Sequence, residues 1–151
     1  MIPLIVLLGS FLLLALGLKR VKNNWRLRTS GRWAMAAMLV FSAIGHFLFP
    51  SGMAQMIPDF LPARKLLVYL TGALEVVFAL GLLSRKYAKT TGWLLIAFLL
   101  LVLPANINAA MQGLNYQTGA LDGPGINYLW FRIPLQLFFI VWIYLSACKS
   151  K

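Results

Sequence analysis

Glu75 is an acid placed inside a long apolar run, Leu66 to Leu83, with Lys65 at its mouth (KLLVYLTGALEVVFALGLL). A carboxyl in such a setting is costly without a partner, so it marks a site and directs the search for what it binds. His46 is preceded one turn earlier by Ser42 on the same helical face, and Arg132 is followed by Gln136 at i+4, so each pair projects from one side. Asn106 and Asn108 follow Pro104 in a further apolar run. A carboxyl, an imidazole, a guanidinium and amides can hydrogen-bond the oxygens of a small ligand, hold a proton, or tie helices together. Glu75 therefore has two readings, a strut paired with Arg132 or a ligand- or proton-binding group. No nucleophile stands beside a base, and no glycine loop is built to cradle phosphate, so nothing indicates an independent enzyme. The single cysteine, Cys148, allows no intrachain disulfide and no CxxC motif. One histidine gives no zinc set and no bis-histidine haem, so redox chemistry here needs a bound cofactor or a partner.

The elements that must position these groups are membrane spans. The chain has 151 residues, 61% of them hydrophobic, with 3 acids against 14 Lys and Arg. That is too apolar for a soluble domain and too short for several. Five runs have spanning length: Ile2 to Leu18, Trp33 to Phe49, Leu66 to Leu83, Gly92 to about Ala110, and about Leu129 to Ala147. Continuous apolarity requires helices, because barrel strands would alternate. A charge of +11 raises nucleic acid as a partner, but the basic residues sit at the ends of apolar runs and no nucleic-acid module is present. Lys19, Arg20, Lys22, Arg26, Arg28 and Arg32 follow the first run, whereas a signal peptide carries its charge ahead of its apolar core. The first run thus reads as an uncleaved anchor. Arg85, Lys86 and Lys89, and then Lys149 and Lys151, mark the same side, against only Arg64, Lys65 and Arg132 on the other. The positive-inside rule then predicts a cell-membrane protein with its N-terminus outside and its C-terminus cytoplasmic.

In that orientation the polar side chains share one leaflet. Glu75 lies roughly 14 Å from the outer end of its span at about 1.5 Å per residue. His46, Asn106, Asn108, Arg132 and Gln136 all lie near outer ends. Convergence on an outward-facing pocket explains this asymmetry; interhelical hydrogen bonding is the plainer account of the amides. Pro104 has no N–H, so the carbonyl of Leu100 is expected to need another donor. Met35 and Met38 read as packing. Ala34, Ala37, Gly45, Gly72, Ala79 and Gly81 permit close helix contact, and Trp25, Trp33, Trp93, Trp130 and Trp142 mostly fall near span ends. The basic stretch from Lys19 to Arg32 is topogenic and also suits anionic headgroups.

GHFLFPSGMAQMIPDFLP, YLTGALEVVFALGLL, LPANINAA and LWFRIPLQLFFIVW follow one another in an order that resembles the DoxX-like membrane proteins. The likeness rests on His46, on Glu75, on Pro104 with Asn106, and on Arg132 with Gln136. Taken with the five runs above, it fits an all-α polytopic membrane helix bundle of five spans in one membrane domain. A four-helix DoxX-like core would occupy residues 32–147, with residues 1–18 as an added N-terminal helix. The family is named for a subunit of a thiosulfate:quinone oxidoreductase, and other members are linked to oxidative stress or to assembly of membrane proteins. The resemblance thus implies a non-catalytic binding or accessory subunit. Glu75, His46, Arg132, Gln136 and Asn106 would line a site for a small lipophilic ligand such as a quinone. The alternatives are a structural or assembly factor, and a proton-coupled small-solute transporter. The expected partners are membrane lipid and a membrane protein or a second copy of the chain.

Overall fold

Proline and glycine set the breaks in an otherwise helical chain. The computed structural model describes residues 2–22 and 26–149. Trp25, Lys151 and the side chain of Lys22, which the sequence places at a span end, in the tail and in the basic stretch, lie outside the described residues. α1 covers Ile2–Lys22 and α2 Leu27–Leu48. α2 starts earlier than the apolar run suggests because tertiary packing overrides the weak helix propensity of Thr29, Ser30 and Gly31: Ser30 and Gly31 are buried, and the Gly31 carbonyl accepts from Trp142. It stops at Phe49 because the residue before a proline is pushed out of the α region, and Phe49 has φ −122° and ψ 44°. Pro50 then opens α3, Pro50–Ala54, a short helix where the sequence suggests only loop. α4 is Arg64–Leu83 and α5 is Ala88–Met111, continuous through Pro104. A 3₁₀ turn, Ile126–Tyr128, leads into α6, Leu129–Ile143, and a π-helical turn, Tyr144–Cys148, extends it.

The chain is 79% helix, with no strand among the described residues, and five helical stretches are long and apolar enough to cross a membrane. α2, α4, α5 and α6 form a closed ring in which each touches the next, and α1 lies along α2. Met35, Leu39, Leu82, Leu95 and Ile143 fill the ring, each with less than 2% exposure. Met38 is also buried there, so both methionines are core. α1 is more than an added anchor: Leu7 is fully buried in the same core, and Phe11 meets Trp142 edge-on with ring centroids 4.9 Å apart. Trp142 accordingly faces inward, its Nε1–H donating to the Gly31 carbonyl at 3.0 Å, whereas Trp93 and Trp130 are exposed. Among the small residues, Ala34 and Ala79 are buried but Ala37 is exposed, and Ala36 takes the inward position. One residue along a helix turns the side chain by about 100°.

The connections at the His46 end form an ordered cap. Gly52 of α3 lies so close to the 112–125 connection that a Cβ there would be 2.0 Å from the Tyr116 carbonyl oxygen. Asn108 donates to the Met56 carbonyl at 2.9 Å, which pins the connection after α3 to α5. Gly113, Gly119 and Gly125 take positive φ within the longer connection, as its tight turns require.

Candidate functional site

Close contact between α2 and α4 builds the site. Gly72, one turn before Glu75, has no side chain, and His46 occupies the space: a Cβ on Gly72 would lie 2.7 Å from the His46 Cβ. That approach brings the last turns of α2 beside Glu75, which is 8% exposed. Ser42 Oγ donates to Glu75 Oε1 at 3.3 Å. His46 Nδ1 lies 3.5 Å from Glu75 Oε2 and 3.2 Å from the Ser42 carbonyl oxygen. A carbonyl can only accept, so Nδ1 carries the hydrogen, and in the neutral ring Nε2 keeps its lone pair. The 3.5 Å approach is within ion-pair distance but lacks hydrogen-bond alignment, and Glu75 Oε2 is buried with no hydrogen-bond partner. A buried polar atom left in that condition is costly and calls for an explanation.

The other candidates gather on α5 and α6. The Arg132 guanidinium donates to Asn106 Oδ1 at 3.1 Å. The strut between Glu75 and Arg132 is therefore not formed as a direct pair: among the described residues the ion pairs of acids are His46–Glu75 and Arg64–Asp59. Gln136, 7% exposed, donates from Nε2 to the carbonyl of Leu99. The carbonyl that gains an outside donor is thus one residue before Leu100, whose side chain is exposed. Asn108 is committed to the cap, with Gln112 donating to its Oδ1 at 3.1 Å.

The structure thus joins His46 and Glu75 through Ser42, and separately joins Arg132 to Asn106 and Gln136 to the α5 backbone. Two hydrogen-bonded groups thus stand on opposite sides of the ring. In the sequence Ser42 stands out only as a neighbour of His46, and its i, i+4 spacing is the signal that it shares the site. Gly72 stands out only as a small residue, and its position one turn before Glu75 is the cue to its role. An open cleft of about 530 Å³ lies at this end between α3 and the start of α4, lined by Ser51, Gln55, Ala63, Arg64 and Lys65 among others. None of the five candidate residues lines it. Ala63 holds a left-handed conformation at φ 52°, uncommon for a residue with a Cβ. Among the described residues no three His, Cys, Asp or Glu side chains come together to hold a metal.

An all-helical bundle with five membrane-length helices and a polar layer buried between them is the class that fold and site define. The chain belongs to the family described as a domain of unknown function, DUF8561, which matches residues 35–147, well over half its length. α1 precedes that match. No curated protein and no solved structure matches the chain.

Proposed function

We propose that this is a DoxX-like multi-pass membrane protein acting as a binding or accessory subunit for a small lipophilic ligand with a carbonyl or hydroxyl oxygen, such as a quinone. The observation that carries the reading is the buried Glu75 Oε2, held by its neighbours yet without a hydrogen-bond partner. A ligand hydroxyl would satisfy it, or a ligand carbonyl would if the carboxyl carries the proton. His46 would bind beside it, with Arg132, Asn106 and Gln136 ordering the facing helices. A mostly apolar bundle with a few converging polar groups suits such a ligand. The chemistry would then belong to the ligand and a partner enzyme. Asymmetry of the basic residues supports an N-terminus outside, a cytoplasmic C-terminus, and a site in the outer half of the membrane. The test is to purify the full chain in mild detergent and extract its lipid-soluble contents. Wild type should carry a stoichiometric quinone or similar molecule that Glu75→Gln loses while remaining folded; an empty wild type ends the reading.

A structural or assembly role is the second reading. The bonds Arg132–Asn106 and Gln136–Leu99 favour it, because they tie facing helices in register. In that case Glu75→Gln lowers the amount of folded protein, and a membrane protein co-purifies with the wild type.

A further inference from the structure

At the end of the bundle opposite the cap, α2 begins beside the end of α4 and the end of α1. Arg26 just before α2, Thr29 and Arg32 of α2 and Arg85 after α4 surround a cavity of about 120 Å³. At about 30 Å³ per water, that is room for roughly four waters, or for the oxygens of one tetrahedral anion. Its remaining wall is apolar, made by Leu18, Trp33 and Leu83. Arg32 Nε is buried with no hydrogen-bond partner, and among the described residues neither Arg32 nor Arg85 is ion-paired with an acidic side chain. The chain has 3 acids. Asp59 precedes α4, Glu75 lies within it, and Asp122 follows α5, so none is at this end. α2 also has no acidic residue in its first turn and no side-chain cap, which leaves its amino-terminal N–H groups and positive dipole end uncompensated.

We propose that Arg26, Arg32 and Arg85, with Thr29, form a binding site for a phosphate group. Guanidinium groups match phosphate oxygens bidentately, and an orphaned Nε–H beside a clustered positive charge is what such an anion satisfies. Leu18, Trp33 and Leu83 give the site an apolar side, which suits the phosphate of an anionic lipid whose acyl chains run along the helices. A free phosphate or soluble phosphoester carries the same chemistry without using that wall. The site is separate from Glu75 and does not depend on what binds there.

The full chain in detergent is titrated with phosphatidylglycerol and with phosphatidylcholine, and retained lipid is counted by native mass spectrometry. Wild type should retain phosphatidylglycerol preferentially. The double variant Arg32→Gln/Arg85→Gln should bind it about tenfold or more weakly, from the loss of charge-assisted bonds. Arg28→Gln is the control: that exposed side chain instead donates to the Lys149 carbonyl at 3.3 Å and should leave binding unchanged. Arg85→Gln alone, at an exposed position, keeps the test valid if the double variant unfolds, and should weaken binding in the same direction. Displacement of the lipid by millimolar inorganic phosphate supports the phosphate site and assigns it to a soluble anion. Equal retention of both lipids with no phosphate binding overturns the proposal. So does a loss in Arg28→Gln as large as that in Arg85→Gln, since general surface charge would then be the whole effect.

Discussion

Gly72→Ala tests the contact that brings His46 to Glu75. The new Cβ would stand 2.7 Å from His46 Cβ and 3.3 Å from its Cγ. Carbon atoms prefer about 3.5–4.0 Å, so the nearer contact is short by roughly 1 Å. The neighbour is a Cβ on a helix backbone, which cannot swing away as the tip of a long side chain could. Overpacking of this kind costs about 1–3 kcal/mol. Alanine returns about 1 kcal/mol through its better helix propensity, leaving a net loss of roughly 0–2 kcal/mol. Gly17→Ala is the reference, because a Cβ there meets no heavy atom within 4 Å. It should gain up to about 1 kcal/mol by the same propensity. The two variants should therefore differ by about 1–3 kcal/mol, on the order of 2–10 °C in Tm for a chain of this size. Thermal unfolding of the detergent-solubilised protein reads the difference directly. Equal shifts in the same direction for both would refute the close α2–α4 approach and, with it, the positioning of His46.

Two further substitutions separate the parts of the polar layer. Gln136→Leu keeps the bulk but removes the donor to the Leu99 carbonyl, and should cost about 0.6–1.7 kcal/mol in the same unfolding assay. Asn108→Ala frees the Met56 carbonyl and should cost about 0.5–1.5 kcal/mol. Its distinctive sign is faster proteolysis in the 55–63 connection under conditions where the long helices remain intact.

The helices were legible in the sequence because apolarity, proline and the rise per residue act locally. Leu66 to Leu83 reads as a spanning helix whatever it touches, and α4 differs from it by only two residues at its start. Pro50 announces the end of α2 through its effect on Phe49 alone. Local rules were less able to find α3, whose Gly52 is held by Tyr116 from a distant connection. Nor do they place the first turns of α2, where Ser30 and Gly31 are weak helix formers held by burial against the rest of the fold.

Residue order alone specifies a set of apolar helices carrying Glu75, His46, Asn106, Arg132 and Gln136 at particular heights along them. Height follows from residue number, since every helical residue advances the axis by the same amount. Partners come from the packed fold: Ser42 for Glu75, Asn106 for Arg132, the Leu99 carbonyl for Gln136, and the interior for Trp142. Which polar groups meet depends on how each helix is rotated about its axis. That rotation is settled by the packing of small residues such as Gly72 against side chains far away in the chain, and no local pattern records it.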